Sequence, residues 1–219
     1  MRNILTFLAN LSANNHRDWF EANRMRYEES RQEFLQLTDR LIEEIRGFDP
    51  SLPPLNGKDC LFRIYRDVRF SPNKVPYKTH FGSYIALGGR KSTRAGYYLH
   101  IDPAGSFMGG GIYMPEASIL RAIRYAISDY PNQFRKLTEN DLFKATYPMR
   151  EGELLKTAPK GFPKDAEYID LVRYKSYAFT APLDSDFLDS RDLIQQISEK
   201  YRILQPVNQF LNEAIDQYL

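Results

Sequence analysis

The stretch between residues 97 and 113 constrains the fold most. Two runs of strand-forming residues, 97–101 and 107–113, flank Asp102-Pro103-Ala104-Gly105. Proline at the second turn position and glycine at the fourth fit a type I turn, and the glycine can also take a left-handed bulge. The pattern predicts a hairpin. Residues 61–70 alternate in character and 81–87 are a further strand candidate closed by Gly88-Gly89, so 61–113 reads as one antiparallel block. Residues 173–181 read as another strand.

Helical signals lie on both sides of this block. Asn15, followed three residues later by Asp18, reads as a cap. Phe34, Leu37, Leu41 and Ile45 repeat at three- and four-residue spacing, one face of a helix. Gly47 and Pro50 end it. Pro115 opens a helix with the apolar stripe Leu120, Ile123 and Ile127, and Pro131 opens a short one. Leu193, Ile197, Tyr201 and Leu204 return to helical spacing, with Pro206 expected to kink or split that helix. Helices at both ends of a strand block predict an α+β fold, a central antiparallel sheet with N-terminal and C-terminal helices packed on it. With 219 residues, no internal repeat and no long linker, residues 1–219 read as a single domain.

Cys60 is the only cysteine, so an intrachain disulfide and a cysteine-rich zinc site are both excluded. The apolar run near the start is too short to cross a bilayer, and the expected setting is the cytoplasm, with no membrane partner. The net charge of +2 conceals an asymmetry. Between Lys58 and Arg94 nine basic residues face two acids, Asp59 and Asp67. A local basic cluster on a nearly neutral chain points to an anion site.

The cluster supplies candidate ligand contacts. If 62–70 is a strand, Arg63, Tyr65, Asp67 and Arg69 share one face. Arg66 then falls in the apolar row with Phe62, Ile64, Val68 and Phe70, where it should be buried against a carboxylate. The turn around Pro72 and Pro76 brings Lys74 and Lys78 toward the strand end, with Tyr77 between them. Arginine forks match carboxylate and phosphate oxygens, and lysine adds point charge. Tyr98 and His100 share a face of the hairpin, and Gly109, Gly110 and Gly111 lie across it. Glycines in a strand mark a bulge or a close backbone approach, which a ligand or a packed neighbour can supply. Arg173 and Lys175 would share a strand face and either extend the site or blunt an edge.

The three histidines, His16, His80 and His100, show no metal-ligand spacing. A site from His80, His100 and Asp102 across neighbouring strands is conceivable, but the sequence assigns no metal ligand and no cofactor. No phosphate-cradling loop or serine elbow is present.

Taken together, these stretches resemble the DUF2461 family of widespread microbial proteins. The resemblance rests on Phe62-Arg63-Ile64-Tyr65-Arg66-Asp67, Arg69-Phe70-Ser71, Lys74 with Pro76-Tyr77-Lys78-Thr79, and Gly96-Tyr97-Tyr98-Leu99-His100-Ile101. It continues through Gly109-Gly110-Gly111, Met114-Pro115, the segment Pro159 to Asp165 and Lys175-Ser176, covering nearly the whole chain. It implies a cytoplasmic single-domain protein and brings no activity or cofactor with it.

The reading that follows is an anion pocket for a phosphate- or nucleotide-type ligand. Arg63, Arg69, Lys74 and Lys78 would hold the anion, Tyr65, Tyr77, Tyr98 and His100 would line it, and Gly109 to Gly111 would admit it. Were the pocket catalytic, His100 is the general acid or base, since its ordinary pKa lies near neutrality. The rivals are a nucleic-acid-binding protein using the same basic face with tyrosine stacking and a non-catalytic interaction module for an acidic partner.

Overall fold

A computed structural model describes residues 1–69 and 72–219. In chain order its elements are α1 (Arg2–Ala13), α2 (Arg17–Ala22), α3 (Arg24–Arg46), α4 (Gly57–Cys60), β1 (Phe81–Ile85), β2 (Gly96–Ile101), β3 (Ser106–Ile112), α5 (Ala117–Asp129), α6 (Pro131–Thr138), α7 (Asp141–Thr146), β4 (Met149–Glu151), α8 (Ile169–Val172), β5 (Tyr177–Leu183), α9 (Ser185–Leu188) and α10 (Leu193–Tyr218). The strands form a five-stranded antiparallel sheet in the order β1-β2-β3-β5-β4, so the fold is α+β with helices at both termini. No helix among the described residues is long and apolar enough to cross a membrane.

The chain forms two compact units, each assembled from separated segments. The first comprises Met1–Arg90, Tyr98–Met108 and Pro182–Ser198, and the second Lys91–Tyr97, Gly109–Ala181 and Glu199–Leu219.

In the first unit, Phe34, Leu37, Leu41 and Ile45 of α3 are all buried, as their spacing predicts. Phe34 stacks on Phe81 at the start of β1, ring centroids 5.5 Å apart, and Phe7 of α1 lies against the same ring. Burying aromatic rings of this size is a large share of what holds helices to a strand. The expected cap is displaced by one residue. His16, not Asn15, caps α2 by accepting from the Trp19 N–H. The Asn15 amide instead clamps the backbone of Tyr77, donating to its carbonyl at 2.9 Å and accepting from its N–H at 3.1 Å. The hairpin turn closes as expected: Gly105 N–H donates to the Asp102 carbonyl at 3.1 Å.

The stretch expected as a strand over 61–70 is not one. Its described part makes only two isolated antiparallel bridges, Leu61 with Ser83 and Tyr65 with Tyr77, and Phe70 lies outside the described residues. Arg66 is accordingly half-buried and not enclosed, because the alternation that would carry it inward does not run through the segment.

In the second unit, α5 buries Ile119, Ile123 and Ile127, with Leu120 half-buried. Phe134 of α6 meets Tyr177 of β5 edge-on and Phe210 of α10. Helix α10 runs through Pro206 without splitting. Leu204, Val207, Phe210 and Leu211 on its two sides are all buried, so packing outweighs the lost backbone bond. The strand expected over 173–181 starts later, at Tyr177, and pairs with β4, Met149 opposite Thr180.

The three glycines of β3 belong to this unit and serve packing. A Cβ at Gly109, Gly110 or Gly111 would run into the carbonyl oxygen of Phe179, Gly96 or Tyr177 respectively. The space beside each of these glycines is filled by backbone, which is the packed-neighbour reading of the run. Gly111 also has φ +96°, a conformation open to glycine. Gly111→Ala should therefore cost about 2–4 kcal/mol through combined strain and overlap. A urea melt should show a lower midpoint with an unchanged slope. Gly105→Ala, with open space around it, should stay within about 0.5 kcal/mol of the parent.

Candidate functional site

The site lies in the first unit and starts from a slip in strand pairing. Phe62 N–H donates to the Gly82 carbonyl at 2.9 Å. Farther along, Arg66 N–H donates to Pro76 O at 2.9 Å and Lys78 N–H to Ile64 O at 2.8 Å. Between the bridges Leu61–Ser83 and Tyr65–Tyr77, three residues lie on one side and five on the other. That excess of two is a bulge, the device that re-aims side chains out of strand alternation. Thr79 and His80 sit within it. β1 and β2 are antiparallel neighbours, so the segment entering β1 meets the end of β2, where His100 and Asp102 lie.

The result is a half-buried cluster. One ligand atom each from His80, His100 and Asp102 lie within 4.8 Å of one another. His80 Nδ1 is 3.9 Å and His100 Nε2 3.8 Å from the same oxygen, Asp102 Oδ2. The other carboxylate oxygen, Oδ1, accepts from the Ala104 N–H at 2.9 Å within the hairpin turn. The turn thus holds the carboxylate with Oδ2 facing the imidazoles. His100 stacks on Phe107 at 4.5 Å and lies 4.2 Å from the His80 ring. Its Nδ1 is hydrogen-bonded to Tyr98 Oη at 3.0 Å. With the proton on Nδ1, the Nε2 lone pair points at the cluster.

Electrostatics keep both rings neutral. Burial, reinforced by the neighbouring His80, pushes His100 down to about 4 against the opposing pull of Asp102. Burial first, then Lys78, lowers His80, with Asp102 again opposing. Burial raises the Tyr98 phenol to about 12, so it remains protonated. Neutral imidazoles and an ionised carboxylate are the forms that bind a metal. Donors around a metal at 2.0–2.2 Å stand roughly 3.0–3.4 Å apart, so the three would have to draw closer to share one ion.

Several of the other residues singled out by sequence engage partners of their own. Arg69 is forked onto Asp67, Nε to Oδ1 at 3.0 Å and an Nη to Oδ2 at 2.7 Å. Lys74 is exposed and donates to the Val68 carbonyl. Tyr77 is a core residue, 3% exposed and stacked on Phe20 at 4.0 Å. Tyr65 packs its edge on the same ring. Arg173 and Lys175 lie in the second unit. Arg173 donates to the carbonyls of Leu155 and Lys156, and Lys175 pairs with Glu153. The singled-out residues that lie with the cluster are Tyr98, His100 and, beside His80, Lys78 with Arg63 near it. Lys78 is half-buried, its ammonium 5.6 Å from the Phe62 ring centroid.

The conserved-hypothetical-protein model DUF2461 matches residues 3–210. The chain belongs to the DUF2461 family. No curated protein and no solved structure matches it. The candidate site includes His80 and Asp102, which the sequence reading grouped with His100 as a conceivable cluster but did not choose as ligand contacts. The available signal was position: His80 immediately precedes β1 and Asp102 immediately follows β2.

The depressed His100 pKa has a thermodynamic consequence. An unfolded chain takes up this proton around pH 6.5, while the folded one resists until about 4. The unfolded state therefore binds more protons in that window, and stability should fall as pH drops from 6.5 toward 4. A proton-carbon NMR titration of the metal-free protein should find His100 neutral at pH 5.5. A midpoint near 6.5 would mean that its ring is solvated.

Proposed function

We propose that this DUF2461 protein binds a divalent first-row transition metal through His80, His100 and Asp102. The observation that carries the reading is the convergence of three donors from two chain segments on one point, with the carboxylate held by the hairpin turn. Two imidazoles and a carboxylate suit zinc, iron, cobalt, nickel or manganese in the divalent state. Three protein ligands leave coordination positions open, the pattern of a site that works on a bound molecule and not one that only braces the fold. Tyr98 is the outer partner, bonded to the far nitrogen of His100 as second-sphere groups are in metal sites. Cys60 does not compete. Its thiol is buried and pushed up to about 11, and a lone buried thiol fits a cytoplasmic setting.

A nucleic-acid track is less well supported. It needs a line of free cations, and Arg69 and Lys175 are already held by Asp67 and Glu153.

Calorimetry with Zn2+ and visible spectroscopy with Co2+ test the reading. The wild type should bind one equivalent. His100→Ala and Asp102→Asn should each remove that binding, and Tyr98→Phe should weaken it roughly 10- to 100-fold. A wild-type protein that takes up neither ion in stoichiometric amount would refute it.

A further inference from the structure

Resting on that metal reading, we infer that the molecule completing the coordination sphere is a small oxyanion, a carboxylate or a phosphate, one oxygen on the metal and another on the Lys78 ammonium. The argument starts from Lys78. It is half-buried, yet among the described residues it has no ion pair, and neither has Arg63. The neighbouring cations differ: Arg69 is forked by Asp67, and Lys74 donates to a backbone carbonyl. Asp67 feels the charge of Arg63 but is committed to Arg69.

Contacts hold Lys78 near the cluster. Its ammonium lies over the Phe62 ring. Phe62 meets Tyr98 edge-on at 6.2 Å, and Tyr98 is bonded to His100. Its own backbone is fixed by the bond from its N–H to Ile64, two residues before His80. A half-buried ammonium with a guanidinium close by and no carboxylate is an unbalanced charge, which proteins resolve with an anion. A divalent metal adds to the imbalance. Two neutral imidazoles and one carboxylate leave the centre with a net positive charge, so metal, Lys78 and Arg63 together form a concentrated positive site. An oxyanion meets both needs, since it ligates hard or borderline cations and accepts charge-assisted bonds from lysine. Arg63 is exposed and so acts from the rim.

The test uses the full chain loaded with Co2+. Inorganic phosphate and oxalate are titrated separately, followed by the cobalt visible spectrum and by calorimetry, and the two arms tell a phosphate site from a carboxylate site. At least one anion should shift the spectrum and bind with saturation. Lys78→Met should weaken that binding about tenfold or more while Co2+ affinity stays within about threefold, and Lys78→Arg should restore most of it. Thermal melts check that each variant is folded. Co2+ binding that neither anion perturbs, or that Lys78→Met leaves equally responsive to anions, overturns the oxyanion inference and leaves the metal reading standing. Failure of the wild type to bind either Zn2+ or Co2+ sinks both.

Discussion

Between the bridges Leu61–Ser83 and Tyr65–Tyr77 the two paired segments differ in length by two residues, and the candidate site is a consequence of that mismatch. A ladder in step would have carried His80 along with the alternation of β1. The bulge frees it to meet the end of β2. The mismatch is held from outside the pairing. Asn15 clamps both backbone groups of Tyr77, and Phe20 stacks on its ring. With Tyr77 pinned there and Phe81 locked under Phe34, the chain between them has no freedom to slip back into register.

The same economy governs the carboxylate. Asp102 begins the hairpin turn, and one oxygen serves the turn while the other faces two imidazoles. An aspartate at this position would be explained by turn chemistry alone. What distinguishes it is the second oxygen, aimed at rings whose burial keeps them neutral. Burial and one acidic neighbour act in opposite directions on both histidines, and burial wins. Neutral rings beside a carboxylate are the arrangement on which the proposed metal reading rests.

Among the described residues, the cations of the basic segment divide into those with an ion pair or carbonyl partner and those without one. Arg69 takes Asp67, and Lys74 takes a carbonyl. Lys78 lies over the Phe62 ring and, among the described residues, has no ion pair. Net positive charge along a sequence is therefore a poor measure of an anion site. What counts is which ammonium or guanidinium is left unpaired after the chain has folded. In the second unit the glycine run of β3 answers to backbone crowding.

Periodicity determined a good deal of this protein from sequence. The α3 face, the α+β class, the Asp102 to Gly105 turn and the pairing of Tyr98 with His100 on one strand face all follow from local repeats and turn chemistry, which depend on near neighbours. Asn15 as a clamp, the irregular path of 61–69, the burial of Tyr77 and the start of β5 at Tyr177 did not follow, because each depends on a partner tens of residues away. The cluster, conceivable from sequence across neighbouring strands, depends on such pairing too. His80 and Asp102 carry no shared spacing, and a two-residue bulge has no composition of its own. Their meeting was decided by which strands pair and in what register, a choice made by the packing of α1, α2 and α3 against the segment entering β1.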